Sequence, residues 1–363
     1  MRITAIAART VRWPIGGDGA ARGRAARAAV ILEVRGAGVI GLGEAAPLPG
    51  MSRDTLDDAE RALAAFARRA PFELAGVDDA LALAGAATGA ARFAIETALL
   101  DALGRARGVA LSALLGASAI RVALAAVVDD AAGARRAYAA GIRCLKIKLY
   151  AGDDVARVHA IAAAAPEAEL RIDANRTWPR DELPARLAQL AFPGIAYIEE
   201  PCRDAHLALD QPGRFALDES LVELTPAQRA AALTAPNLVA LVLKPTVLGG
   251  IAAVLALAAE ARAAGVAPVV SHGLEGPIGS AACAELALAV ARDPQPELAQ
   301  ASARPRRALS PPAGLAPHAA IAGWRLAVPQ LAADHVHAAG PGLGFAALDL
   351  AGVVRAGPGE EPG

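Results

Sequence analysis

Lysine is nearly missing from this chain of 363 residues. Lys and Arg together number 36, and only Lys146, Lys148 and Lys244 are lysine, which leaves 33 arginines. Cysteine is almost as scarce. Cys144, Cys202 and Cys283 stand far apart, with neither a disulfide pattern nor metal-ligand spacing. Aromatic residues make up 3% of the chain, and alanine inflates the 55% hydrophobic content, so Ala-rich helices say little about function. Net charge is −1 and no basic block stands out, which excludes the electrostatic footprint of a nucleic-acid or anionic-membrane partner. Met1-Arg2-Ile3-Thr4-Ala5-Ile6 lacks the continuous apolar core of a signal peptide. The longest uncharged run near the middle, Pro245 to Ala259, is too short to span a bilayer and contains Gly249-Gly250. These absences predict a soluble protein in a reducing, cytoplasmic setting.

Arginine has replaced lysine wherever a plain positive charge suffices. A position that keeps lysine against this bias needs a compact ammonium able to lose its proton, which guanidinium cannot do at ordinary pH. Two of the three survivors fall in Gly141-Ile142-Arg143-Cys144-Leu145-Lys146-Ile147-Lys148-Leu149. At period two, Lys146 and Lys148 share one strand face while Leu145, Ile147 and Leu149 share the other.

The length suits a large barrel with an accessory domain. Residues 1–115 read as α+β. Ile3–Trp13 and Ala28–Arg35 are strand-like, and Gly36-Ala37-Gly38 turns into a third strand, Val39 to Glu44. Gly16 to Arg27 has no packing pattern and is expected to be a mobile loop. Pro47 to Ser52 is a second irregular loop, a helix starts near Asp54, and Gly89 to Gly108 is a helix with Phe93, Thr97, Leu100 and Leu103 near helical spacing. From Ile120, short strands alternate with Ala-rich helices. Strands are expected at Val122–Val128, Cys144–Leu149, Leu170–Asp173, Ala196–Glu199, Phe215–Asp218, Val239–Lys244 and Ala267–Ser271. Helices are expected at Gly152–Ala165, Arg180–Ala191, Thr225–Thr234 and Gly249–Ala264. Seven strands with intervening helices predict parallel βα units closed into a barrel over residues 116–322. The eighth strand has no signal in residues 293–320, which are rich in Pro, Arg and Ala. Residues 323–363, with Trp324 and Gly340-Pro341-Gly342-Leu343-Gly344, read as a return segment packing on the first domain. From Gly357 onward the chain is expected to be disordered.

The strands end alike. Strand two ends in Lys146 and Lys148, three in Asp173, four in Glu199-Glu200, five in Asp218-Glu219 and six in Lys244. Active sites sit at this end of such barrels. Alternation turns Asp173, Glu199, Asp218 and Lys244 inward, opposite Ile172, Ile198, Leu217 and Leu243. Three carboxylates in an apolar lumen repel one another unless paired or bound to a cation. A hard divalent ion answers this, Mg²⁺ first and Mn²⁺ second. Lys148 and Lys244 then flank it from opposite walls, which suits proton abstraction next to a metal-bound carboxylate. Lys146 would lower the proton affinity of Lys148 by like-charge repulsion. A lone K-x-K strand is ordinarily an exposed edge, and a lone acid after a strand is ordinarily a helix cap, as Asp218-Glu219-Ser220 could be. Five matching strand ends outweigh that reading. His272 sits on a loop, and His159, His206, His318, His335 and His337 have no ligand spacing.

At this point the sequence resembles the enolase superfamily, in its muconate-cycloisomerase-like branch. The resemblance rests on Lys146-Ile147-Lys148, Arg171-Ile172-Asp173-Ala174-Asn175, Ile198-Glu199-Glu200-Pro201, Ala216-Leu217-Asp218-Glu219-Ser220 and Leu243-Lys244-Pro245-Thr246, in order over nearly the whole chain. It implies an α/β fold, a TIM-like (β/α)7β barrel with an N-terminal α+β capping domain completed by the C-terminal segment. Gly43-Glu44-Ala45-Ala46-Pro47-Leu48-Pro49-Gly50 with Ser52, and Leu243 to Gly250, are most similar to the o-succinylbenzoate synthases. That similarity implies Asp173, Glu199 and Asp218 as Mg²⁺ ligands, Lys148 as the base and Lys244 as the cation that holds a ring-delocalised anion. It also implies a small-molecule carboxylate substrate lying against Leu48, Met51, Asn175, Ser271, His272 and Gly273. In one respect the chain departs from the pattern: Gly276-Pro277 stands where a pair of serines usually holds the distal succinyl group. Backbone N–H groups of that Gly-rich turn would receive a carboxylate instead. Racemisation of N-acylamino acids, epimerisation of dipeptides and muconate cycloisomerisation use related machinery, although no D-x-D pair of the epimerase kind occurs between Arg292 and Gln330. A non-catalytic protein on a decayed barrel would show a broken ligand or lysine set, and here the set is intact.

Overall fold

A computed structural model describes residues 1–14, 26–87, 89–150, 155–291, 311–316 and 328–345. Strands β1 (Arg2–Pro14), β2 (Ala26–Gly36) and β3 (Val39–Ala45) form an antiparallel meander, and β4 (Phe72–Glu73) adds to β1, giving the order β3-β2-β1-β4. Ala37 and Gly38 turn the β2–β3 hairpin with positive φ angles of 49° and 75°, the geometry that matches strand twist. The helix Gly89–Arg107 is buried over most of its length against this sheet. It comes so close to β3 that a Cβ at Gly41 or Gly43 would strike the backbone of Ala98 or Ala94. Glycine two apart on one strand face is therefore a packing requirement. The helix expected near Asp54 is Leu56–Ala67, capped by Thr55, whose hydroxyl accepts from the Asp58 N–H while the Asp58 carboxylate accepts from the Thr55 N–H.

The strand expected over Val122–Val128 is two strands. β5 (Arg121–Ala123) leaves the barrel, and β6 (Ala125–Val127) starts it. Six more parallel strands follow: β7 (Cys144–Lys148), β8 (Glu169–Asp173), β9 (Ile195–Glu199), β10 (Phe215–Leu217), β11 (Leu238–Leu243) and β12 (Ala267–Val270). They pair in sequence order from β6 to β12. The gap between first and last strands is bridged at residues 313–314. The Ala125 N–H donates to Ala313 O, the Ala313 N–H to Ala123 O, and the Gly314 N–H to Val270 O. Among the described residues this two-residue contact stands in the place of an eighth strand, too short to leave a sequence pattern.

The expected helices are present as Val155–Ala164, Leu183–Gln189 after a 3-10 turn at Arg180–Glu182, Pro226–Thr234 and Ile251–Ala263. Beyond the expected set, the two longest additions among the described residues are Ala131–Ala139 and Pro277–Val290. The second has thirteen of its fourteen residues buried, so it carries no amphipathic stripe to read. Near the end of the chain, β13 (His335–His337) pairs antiparallel with β5. The following residues join the helix Gly89–Arg107: the Leu343 N–H donates to Asp101 Oδ1 at 2.7 Å and Arg105 Nη1 donates to Phe345 O at 3.0 Å. Of the loop Gly16–Arg27, residues 16–25 lie outside the described residues, as do Trp324, His318 and everything from Gly357. Arg27 itself is not part of a mobile loop. It lies in β2 and is 6% exposed. Among the described residues no helix is long and apolar enough to cross a membrane.

Candidate active site

Parallel register brings the strand ends level. Lys148 lies beside Asp173 and Asp173 beside Glu199, one strand to the next. Asp218 and Lys244 directly follow β10 and β11. β7 and β11 lie four places apart in the seven-stranded sheet, and Lys148 and Lys244 at their ends both face one cavity. Below this rim lies a cavity of about 180 Å³. Lys146, Lys148, Lys244, Asp173, Glu199, Asn175, Ser271, His272, Gly273, Leu48 and Met51 all line it. Asp218 is buried just behind the wall and reaches the site through its bond from Lys244 Nζ.

Ammonium and carboxylate groups interlock here. Lys146 Nζ donates to Asp173 Oδ2 at 2.8 Å and to Glu199 Oε1 and Oε2 at 2.7 and 2.8 Å. Lys244 Nζ donates to Asp218 Oδ2 and approaches Met51 Sδ at 3.6 Å. Among the described residues no three carboxylate, imidazole or thiol groups converge into a metal cluster; the ammonium groups stand among the acids. Burial works against the charge on Lys146, but Asp173, Glu199 and Asp218 overcome it and hold its pKa well above the ordinary lysine value. On Lys148 burial wins, helped by the neighbouring Lys146 charge, and the pKa falls. Lys244 is desolvated too, yet Asp218 and Glu219 raise it. For Asp173 the lysine charges outweigh burial and keep it below the usual carboxylate range. Burial and the nearby Asp173 push Glu199 well above it.

The side walls come from loops. The Ser271 hydroxyl donates to Gly314 O at 3.1 Å, which ties the last strand to the closing segment. His272 Nδ1 accepts from the Leu274 N–H at 3.1 Å. The Asn175 side-chain amide donates to Leu149 O and Asp173 O at 3.1 and 3.2 Å, and its backbone N–H donates to Asp173 Oδ1 at 3.1 Å. Asn175 therefore orients Asp173 as well as facing the cavity. From the first domain, the loop carrying Leu48 and Met51 closes over the top; the Leu48 N–H donates to Ser52 Oγ at 2.8 Å.

Sequence reasoning missed several residues here. Glu219 lines the cavity with Oε2 unpartnered, and burial followed by the Asp218 charge pushes its pKa up to about 7. Alternation assigns one inward acid per strand end, which selects Asp218 over its neighbour Glu219. Arg171 and Tyr197 also line the cavity, with the guanidinium 5.2 Å from the ring centroid. They lie two residues before Asp173 and Glu199, so the same alternation could have found them. Arg27 and Glu44 act from the first domain. Arg27 donates to Pro47 O and Ala46 O at 2.5 and 2.6 Å, and to Leu274 O and Gly273 O at 3.3 and 3.4 Å, joining two cavity loops. Glu44 accepts from the Gly276 and Gly279 N–H groups at 2.5 and 2.8 Å and from Trp13 Nε1 at 3.0 Å. No local signal marks such long-range partners.

The fold and site define a class, a capped parallel barrel that carries acids and amines at the carboxyl ends of its strands. Residues 3–116 match the family described as mandelate racemase / muconate lactonizing enzyme, N-terminal domain, and residues 129–347 match the family described as enolase C-terminal domain-like. The chain belongs to the enolase superfamily of enzymes. It is 30% identical to the o-succinylbenzoate synthase of Desulfotalea psychrophila over 300 residues, 70% of this chain and 81% of that protein. With the o-succinylbenzoate synthase of Yersinia pseudotuberculosis it shares 28% identity over 272 residues, 72% of this chain and 78% of that protein. Among solved structures, the muconate lactonizing enzyme of Pseudomonas putida is similar at a TM-score of 0.75 and 25% identity, covering 97% of this chain and 99% of that one. The dipeptide epimerase of Methylococcus capsulatus, complexed with Mg and the dipeptide L-Arg-D-Lys, is similar at 0.74 and 25%, covering 95% and 99%.

Proposed function

We propose that this protein is an o-succinylbenzoate synthase, a carbon–oxygen lyase that eliminates water from 2-succinyl-6-hydroxy-2,4-cyclohexadiene-1-carboxylate in menaquinone biosynthesis. The observation that carries this reading is that Lys148 and Lys244, at the ends of strands four places apart, line one cavity together with buried acids. The relatives described as o-succinylbenzoate synthases add weight.

Asp173, Glu199 and Asp218 would hold a divalent cation: they are hard oxygen donors at the ends of three consecutive strands, and the ammonium groups of Lys146 and Lys244 now serve as their cationic partners. When bound, Mg²⁺ supplies Lewis-acid stabilisation of a substrate carboxylate. Lys148, with its depressed proton affinity, is the neutral amine that takes the proton α to that carboxylate. The ammonium so formed gives the same proton to the departing hydroxyl on the same face, so water leaves and the ring becomes aromatic. Lys244 stays charged against Asp218 and faces the anionic ring as its electrostatic partner.

A second reading is favoured by the likeness to the dipeptide epimerase over nearly the full length of both chains. Two lysines at the ends of strands four places apart also suit one-face deprotonation and other-face reprotonation, as in epimerisation or N-acylamino acid racemisation. The test is an ultraviolet assay for the aromatic product, run beside racemisation of an N-succinylamino acid and epimerisation of a dipeptide. Aromatisation that is lost in EDTA and restored by Mg²⁺ is expected. Epimerisation without aromatisation would replace the first reading by the second, and indifference to chelation would remove the metal.

A further inference from the structure

Glu200 directly follows Glu199, yet the two carboxylates part company. A φ of 43° at Glu200 turns the chain, so Glu199 lines the cavity and Glu200 is completely buried without lining it. A glutamate in this conformation is uncommon and costs conformational energy, which the surroundings must outweigh. Four donors meet its carboxylate. Oε1 accepts from the N–H groups of Asp218 and Ser220 at 2.7 and 2.9 Å, and Oε2 accepts from Ser220 Oγ and Arg176 Nε, both at 2.8 Å.

The position of these bonds matters. Pairing between β9 and β10 ends at Ala216, opposite Glu199. The Asp218 N–H lies beyond that ladder and is held by the Glu200 side chain instead. Arg176 locks the carboxylate in turn. Its backbone is also left-handed, at φ 60°, and its N–H donates to Glu200 O at 2.8 Å. Its guanidinium is anchored on Glu223 at 2.8 and 2.9 Å and on Ser220 Oγ at 3.0 Å. One step earlier, the Ala174 N–H donates to Glu199 O at 3.0 Å. The ends of β8, β9 and β10, which carry Asp173, Glu199 and Asp218, are thereby tied to each other from behind.

We propose that Glu200, locked by Arg176, is a positioning residue that sets the placement of Asp218 relative to Asp173 and Glu199 and thereby governs divalent-cation affinity. This rests on the reading in which those three acids hold the metal. The test is Mn²⁺ titration of the metal-depleted full-length protein, followed by electron paramagnetic resonance, for the wild type and for Asp173→Asn, Glu200→Ala, Glu200→Gln and Arg176→Gln. Glu200→Ala should bind Mn²⁺ about 10- to 100-fold more weakly, the usual cost of losing a partner behind a ligand, and should change the spectrum of the bound ion. Glu200→Gln should recover part of that loss, because its amide oxygen can still accept both N–H groups although its amide nitrogen cannot accept from Arg176. Wild-type affinity in Glu200→Ala would overturn the proposal, and so would a Glu200→Gln as weak as Glu200→Ala, which would mark a simple charge effect. If circular dichroism shows Glu200→Ala unfolded, Arg176→Gln decides: weaker binding supports the clamp and wild-type binding overturns it. A wild-type protein without Mn²⁺ affinity, or an Asp173→Asn equal to it, would instead remove the metal reading, and the proposal with it.

Discussion

Lys146 and Lys148 sit two residues apart on one strand face, yet their surroundings pull them in opposite directions. Lys146 is enclosed by acids and holds its proton; Lys148 is desolvated next to that fixed charge and gives its proton up more readily. A base must be neutral to act, so activity should rise with pH through the Lys148 pKa, and a depressed pKa places that rise below the ordinary lysine range. In Lys146→Met the repelling charge is gone, and the rising limb of kcat/KM should move to higher pH. An unmoved limb would mean that Lys146 does not tune its neighbour. Lys148→Ala should abolish turnover with an unchanged circular dichroism spectrum, and full activity in that variant would remove the base assignment.

Between elements, β3 meets the helix Pro277–Val290 through one carboxylate. Glu44 receives two N–H groups from the first turn of that helix and the indole N–H of Trp13, which holds the first domain against the loop of Ser271 to Gly276. Burial outweighs those bonds and raises its pKa from 4.5 to about 7. The folded state then binds this proton more tightly than the unfolded state does. The associated stability is fully present below about pH 4.5 and is lost as pH rises through about 7. Glu44→Gln does not titrate, so the wild type should lose ground to it across that window, by on the order of 3 kcal/mol. Urea unfolding of both proteins at pH 5 and pH 8 measures this, and a constant difference would show that Glu44 titrates normally. Arg27 makes the companion contact from β2 to both cavity loops. Such bonds join residues 247 positions apart, beyond the reach of any local pattern.

For the molecule as a whole, Leu343 and Phe345 come back to the helix Gly89–Arg107. Asp101, fully buried in the helix Gly89–Arg107, accepts from the N–H of Leu42 in β3 at 2.8 Å, from the N–H of Leu343 at 2.7 Å and from Arg105 Nε at 3.0 Å. Asp101→Ala orphans two buried N–H groups from distant parts of the sequence. The cost should be about 3 kcal/mol. Because one side chain joins β3 to the segment at Leu343, the loss should appear as a single earlier transition in denaturant, with fluorescence and circular dichroism coincident. Two separated transitions would show that the return segment and first domain unfold independently.

Period-two alternation was enough to find six of the seven parallel strands, the first being merged with β5, and to select Lys146, Lys148, Asp173, Glu199 and Lys244, which line one cavity, because strand pleat turns every second side chain the same way. Tertiary structure alone decided the rest. The barrel closes through two residues, 313–314, whose hydrogen bonds run to strands on both sides. The helix Pro277–Val290 is buried all round and shows no face. Glu44, Arg27 and Glu200 do their work through partners that come near only when the chain has folded. Alternation sets which way a side chain points, a local property of the backbone. What it meets there depends on segments hundreds of residues away, and only the packed molecule brings them together.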